Sequence, residues 1–444
     1  MKDQRRKING IVRSIKILAF ALVLAVMSFI GLLWFARPNT STVEKRTLTQ
    51  FPQLTWTGFW DGSFFSQVDT WYADTYPLRE GLISANQSLQ NRYGLQGDQI
   101  VGNAVVADDI PDPDAEVEVQ ETTLPNPDET TEATTEETLA DGTVSDLGDM
   151  AGSIYITNNA GYGLYYFSQS GAEQYAQTMN DIYSRVGDKV NLYVMVCPIS
   201  AGVMLDETVL EDMGCSDQGA AIEYIYSKLD PGIHALQVFE NLRAHNSEYI
   251  YFHTDHHWTQ LGAYYAYEVF CKDKGWTAHS LDQFQTMTFE DFLGTYYSSS
   301  NKSPALASNP DTVTAYVPNG TNNMVMHMQD GSVYNWNVIY DVSSYDKSQL
   351  YATFVGGDRP LSYTHNETIT DGSAVMVIKD SYGNAFIPWL VDHYEYVYWV
   401  DYRYTTNTIS QMVADYGIQD VIYQCHIYNA STTSVLAEFA GIGQ

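Results

Sequence analysis

Two short stretches of this sequence carry side chains that can do chemistry together. The first is His253-Thr-Asp-His-His-Trp258-Thr259, with four ionisable groups in five positions. If it turns from a strand into a helix, Asp255 and His257 can project to one side. The carboxylate then orients the imidazole, fixes its tautomer and stabilises its protonated form. The second is Val375-Met-Val-Ile-Lys-Asp-Ser381-Tyr-Gly-Asn-Ala385. An apolar strand here delivers a serine to a turn opening a helix, beyond the carboxyl end of a strand, where α/β sheets present reactive groups. Helix N-terminal N–H groups can stabilise an oxyanion. Gly383 permits close backbone approach, and the Asn384 amide can donate to the same oxyanion.

Plainer readings stand beside these. An Asp-Ser turn before a helix is usually an N-cap. His253, Asp255, His256 and His257 could instead ligate a metal, with His365, His393 or His426 completing the set. Trp258 either packs beneath a site or contacts substrate. His256 bonds backbone or faces solvent. Arg403 pairs with Asp401 or holds a substrate carboxylate.

The elements that must position these residues alternate. Ser153–Thr157 reads as a strand, Ala172–Val186 as a helix, and Val190–Cys197 as a continuous apolar strand ended by Pro198. Gln218–Leu229 reads as a helix, Ala235–Phe239 and Tyr249–Phe252 as short strands, and Gln260–Lys274 as a helix capped by Thr259 and stopped by Gly275. Ala374–Ile378, Tyr396–Val400 and Asp420–Tyr423 are strands, separated by helices at Gly383–Val391 and Ser410–Tyr416. Continuous apolar strands alternating with helices predict an α/β fold, a parallel sheet covered by helices on both faces. Between about 280 and 370 the pattern is lost, which predicts an insertion of short strands and loops.

The N-terminus predicts a membrane anchor. A basic cluster in residues 1–16 precedes an apolar run from Ile17 to Phe35, closed by Arg37-Pro38. About 20 apolar residues cross a bilayer, and the basic side stays cytoplasmic. The run is long for a cleavable signal peptide, and no small-x-small cleavage site follows it. Residues 17–36 therefore read as a single transmembrane helix with the C-terminal side extracellular. Residues 37–106 read as a helical collar, 107–149 as an acidic disordered linker without Lys or Arg, and 150–444 as the main domain. The net charge of −32 argues against nucleic acid and against docking on an anionic surface. The 34 tyrosines and 9 tryptophans suit carbohydrate, although tyrosine also packs strands. The four cysteines match no zinc pattern and no dense disulfide framework, leaving room for one disulfide.

Thr-Asp-His-His-Trp at 254–258, with Gly262-Ala-Tyr-Tyr-Ala-Tyr267 behind it, resembles the signature of the bacterial DHHW family. So do Asp380-Ser-Tyr-Gly-Asn-Ala-Phe386, Pro388 and Val400-Asp-Tyr-Arg-Tyr404. That family is similar to the SGNH-hydrolase-like domain of alginate O-acetylation proteins, in which an Asp-x-His-Trp motif and a later Gly-Asp-Ser motif supply the catalytic groups. Lys379 stands where those proteins have Gly. The resemblance implies a Ser381-His257-Asp255 triad moving acetyl groups on an extracellular polysaccharide, with no metal or cofactor. It implies an acetyl donor supplied through a membrane-bound O-acyltransferase. Esterase activity, a non-catalytic glycan-binding subunit and a metal-dependent hydrolase are the alternatives.

The acidic tract generates the first prediction. Deleting Pro111 to Asp141 should leave the melting temperature nearly unchanged by differential scanning calorimetry; a drop of many degrees would make the tract part of the fold.

Overall fold

The structure, a computed structural model, describes residues 37, 40–41, 46–47, 49–61, 63–77, 99–101, 107–111 and 153–443. The basic cluster, the apolar run 17–35 and most of the acidic tract lie outside them. Among the described residues no helix is long and apolar enough to cross a membrane. The chain divides into two units, residues 1–96 and 97–444. In the first, helices Trp56–Asp61 and Ser63–Asp74 follow a small antiparallel pair, Thr40–Ser41 with Arg46–Thr47.

The second unit is built on an eight-stranded sheet: β1 (Asn191–Cys197), β2 (His234–Ala235), β3 (Asn323–His327), β4 (Val333–Asn337), β5 (Leu361–His365), β6 (Ala374–Lys379), β7 (Tyr396–Asp401) and β8 (Asp420–His426). Its spatial order is β4-β3-β5-β7-β6-β8-β1-β2. Strands β7, β6, β8, β1 and β2 run parallel, whereas β5, β3 and β4 add on antiparallel. The sheet is therefore mixed, a correction to the parallel sheet expected. Three strands from the region with no legible pattern extend it. They were hidden because they are five residues each and partly solvated, so no continuous apolar run marks them.

Every side chain of β6 and β8 is buried, so both faces are covered there. Tyr423 packs edge-on against Phe439 of the terminal helix Thr433–Ile442, which the sequence reading missed. On the other face Tyr193 packs against Phe270, and Phe270 against Phe386. The helices that matter for the site include α1 (Gln169–Val186), α2 (Gln218–Ser227), α3 (Val238–Ala244) and α4 (Gln260–Asp273). Two expected strands differ. Ala235–Phe239 divides into β2 and the start of α3. Tyr249–Phe252 finds no neighbouring strand and makes one bridge, Tyr251 to Trp258. None of the four cysteines is in a disulfide. Asp108, at the start of the acidic tract, is tied down: its N–H donates to the Phe167 carbonyl at 2.9 Å and its carboxylate accepts from the Gln169 N–H at 2.9 Å.

Thr259 caps α4, its hydroxyl accepting from the Gly262 N–H. A Cβ on Gly262 would lie 2.4 Å from the Ile250 carbonyl oxygen, closer than atoms can approach. Gly262 thus lets α4 begin directly against the segment that precedes the histidine-rich turn. Gly262→Ala should destabilise the fold by about 1–3 kcal/mol, measured as a lowered urea midpoint.

Candidate active site

The histidine-rich turn and the Ser381 turn meet at the carboxyl end of β6. His257 Nε2 lies 2.7 Å from Ser381 Oγ, and His257 Nδ1 lies 2.5 Å from Asp255 Oδ1. A carboxylate only accepts, so Nδ1 carries the proton and Nε2 is left to accept from the serine hydroxyl. All three side chains are buried, Asp255 at 2 % exposure and Ser381 at 3 %.

Burial alone would raise the Asp255 pKa. The His257 and His256 imidazoles and the Thr295 N–H override that and hold the carboxyl well below the usual range. The stabilisation from its charge is therefore present above the ordinary carboxylate pKa and is lost only as pH falls through the depressed one. Asp255 Oδ2 accepts from the Thr295 N–H at 2.8 Å and hydroxyl at 3.1 Å, and Thr295 Oγ1 sits 2.6 Å from His256 Nδ1. His256 is thus buried on a side-chain partner, neither facing solvent nor bonded to backbone by that nitrogen.

The turn is fixed from below by Asp311, whose carboxylate accepts from the His253 and Thr254 N–H groups at 2.8 and 2.7 Å and from the Thr254 and Tyr249 hydroxyls at 2.5 Å each. The hairpin Ile154–Thr157 and Ala160–Gly163 adds the Gly161 N–H on the His253 carbonyl.

The serine turn is fixed by Asp380, which accepts from the N–H groups of Tyr382 and His426 and from the Asn429 amide. Two further bonds join the two turns, and a third ties the serine turn to the segment Leu350–Thr353. Tyr382 OH donates to the His256 carbonyl, Trp258 Nε1 to the Tyr382 carbonyl, and Tyr351 OH to the Ser381 carbonyl. Tyr351 also lies flat on the His257 imidazole, centroids 3.9 Å apart and planes 11° from parallel. An aromatic face there favours the protonated ring. Trp258 is fully buried and packs beneath the turns.

Gly383 and Asn384 are placed differently from the oxyanion roles read for them, and of the two readings of Arg403, pairing with Asp401 and holding substrate, it takes the first. The Gly383 N–H donates to the Asp380 carbonyl, and the Asn384 amide donates to Asp358. A Cβ on Gly383 would meet the Lys379 side chain at 2.6 Å. The Ser381 N–H has no acceptor among the described residues, which leaves it available to a developing oxyanion. Arg403 pairs with Asp401 through two nitrogens at 2.8 Å and reaches Asp358 at 2.9 Å. Lys379 is fully buried between Asp358 and Asp401. Burial opposes the Asp358 charge, but Lys379 and Arg403 hold its carboxyl far below the usual range. The Lys379 cation is thus neutralised by aspartates from other segments.

Asp255, His256 and His257 also form a group whose ligand atoms lie within 4.8 Å of one another. The outlying histidines are engaged elsewhere, His253 near Asp311, His365 near Glu395 and His393 on Tyr267. His426 approaches Asp380 at 3.3 Å. Sequence reasoning missed Thr295, Asp311, Tyr351, Asp358 and the structural role of Asp380. The first four fall where no periodicity marks an element.

The family model described as DHHW protein matches residues 44–124 and 117–400. The chain belongs to the DHHW family. This DHHW protein is similar in structure to a family member from Eubacterium siraeum, 28% identical over 65% of this chain and 95% of the other, with TM-score 0.59. It shares its fold with Bacillus cereus PatB1, 18% identical over 64% of this chain and 98% of PatB1, TM-score 0.53. A weaker likeness is to the O-acetyltransferase domain of Pseudomonas putida AlgJ, 12% identical over 64% and 96% of the two chains, TM-score 0.32. No curated protein matches this sequence.

Gly294 sets up a direct test. A Cβ there would lie 2.2 Å from Asp255 Oδ2 and 2.3 Å from its Cβ. Gly294→Ala should displace the carboxylate and abolish the strongly deshielded His257 Nδ1 proton expected in the NMR spectrum of the native protein. Persistence of that resonance would show that the carboxylate needs no such space.

Proposed function

We propose that this protein is a membrane-anchored serine O-acetyltransferase or acetylesterase acting on an extracellular polysaccharide. The observation that carries the reading is the hydrogen-bonded line from Ser381 Oγ through His257 to a buried, ionised Asp255. That order of groups raises the nucleophilicity of a hydroxyl without requiring a metal. PatB1, which has the same fold, has been solved with a sulfonyl adduct. Sulfonyl electrophiles modify activated hydroxyls, so the same probe is apt here. The motif resemblance to alginate O-acetylation proteins directs the reading to acetyl groups and polysaccharide, with a membrane-bound O-acyltransferase as donor. The basic cluster and apolar run support the anchor.

In this reading His257 Nε2 takes the proton as Ser381 Oγ attacks the acetyl carbonyl, and the Ser381 N–H donates to the oxyanion. The leaving group takes that proton back, and the acetyl remains on Ser381. A sugar hydroxyl then attacks the ester, giving its proton to His257 and regenerating the serine. Water in place of the sugar makes the enzyme an esterase. Tyr351 supports the imidazolium formed in each step.

Wild-type protein incubated with an activated acetyl ester should carry acetyl on Ser381 by mass spectrometry, and Ser381→Ala should carry none. His257→Ala should reduce turnover about as much as Ser381→Ala, on the order of 10³-fold, because such groups act as a unit. Undiminished turnover in Ser381→Ala would end this reading. Activity lost to a chelator and restored by zinc would favour the metal group at Asp255, His256 and His257 instead.

A further inference from the structure

The N-terminal unit exposes apolar surface that neither the fold nor the proposed chemistry uses. Trp56 is 79 % exposed, Trp60 70 %, Leu54 66 %, Phe51 57 % and Phe65 53 %. Trp56, Phe59 and Trp60 share one face of their helix at i, i+3 and i+4 spacing. Their rings form a continuous cluster: Trp56 to Trp60 at 5.8 Å, Phe59 to Trp60 at 5.4 Å and Phe59 to Phe65 at 5.5 Å. Soluble surfaces rarely leave so many large aromatic side chains together in water.

One contact says what faces this cluster. Arg37 stands two residues beyond the end of the apolar run at Phe35. Its guanidinium donates to the Thr75 carbonyl at 3.1 Å and lies over the rings of Trp71 and Tyr72, 4.9 and 5.3 Å from their centroids. Phe51 in turn packs edge-on against Trp71 at 4.8 Å and Phe64 at 6.3 Å, and Phe64 against Phe65 at 5.5 Å. The end of the apolar run is thereby fastened to helix Ser63–Asp74, and through Phe51 to the aromatic cluster. If the run crosses the bilayer, the cluster is held within a few residues' reach of the headgroups rather than at the end of a free tether.

We propose that Trp56, Phe59, Trp60 and Phe65 lie in the outer headgroup layer of the membrane, seating the extracellular part of the chain on the bilayer. Tryptophan and phenylalanine favour that layer, where one edge of the ring is wet and the other apolar. Residues 49–77 contain three aspartates and no lysine or arginine, so the attraction is apolar, not electrostatic. A zwitterionic bilayer therefore suffices as the surface, and the contact is insensitive to salt. This inference rests on the proposed anchor.

The test uses the full chain in phosphatidylcholine nanodiscs containing lipid brominated near the headgroup, with Trp34→Phe to silence the tryptophan inside the apolar run. Bromine should quench about a quarter of the emission, two of the eight tryptophans left, assuming comparable yields. Adding Trp56→Ser and Trp60→Ser should remove most of that quenching, with no change in 0.5 M salt. Equal quenching in both proteins, or blue-shifted and unquenched Trp56 and Trp60, would overturn the proposal; the second result would mean that protein covers the cluster. Failure of the anchor itself would show separately, as extraction of the chain from membranes by alkaline carbonate. The membrane contact would then be decided by whether vesicles of the same brominated phosphatidylcholine still quench Trp56 and Trp60.

Discussion

A carboxylate almost out of reach of water must have its charge answered by the protein, and Asp255 is answered from three directions. The imidazole of its own turn takes one oxygen, and the backbone and hydroxyl of Thr295 take the other. These bonds specify where Gly294 must be glycine, which tautomer His257 adopts and where its second nitrogen points. The loop carrying Thr295 and the strand carrying Ser381 are consequently located relative to one carboxyl group. An unpaired charge at this depth would be costly enough that the arrangement is cooperative: removing one partner strands the others.

A second charged group lies on the far side of the serine turn. Lys379, Arg403, Asp358 and Asp401 pair within the protein, and Asp358 also holds the Asn384 amide. Lys379 is compatible with the turn because Asp358 and Asp401 were brought beneath it, and because Gly383 leaves space for its stem. A buried cation beside the serine turn is thus matched by residues distant in sequence.

That distance explains what the sequence disclosed. Asp255, His257 and Ser381 were legible because each sits in a short motif between elements with clear periodicity, and Thr259 because capping is local. The central strands were legible because burial on both faces makes them continuously apolar. Thr295, Asp311 and Tyr351 were not, since a threonine or aspartate in an irregular segment gains its meaning only from what tertiary folding sets beside it. The antiparallel strands β3, β4 and β5 were hidden for a related reason: they pack one side and leave the other partly wet. The oxyanion roles read for Gly383 and Asn384 depended on turn geometry, and in the structure the Gly383 N–H is committed to Asp380 within the turn and the Asn384 amide to Asp358 outside it.

Strand β6 lies between β7 and β8, both of which follow it in the chain. As the polypeptide leaves the ribosome, the segment ending in Lys379 therefore has neither of its neighbours when it first emerges. The histidine-rich turn and the loop around Thr295 precede it and can gather early, but the serine is not seated until residues up to His426 have been made. The serine turn thus takes its final setting only once Tyr396–Asp401 and Asp420–His426 are paired on either side of the strand that carries it.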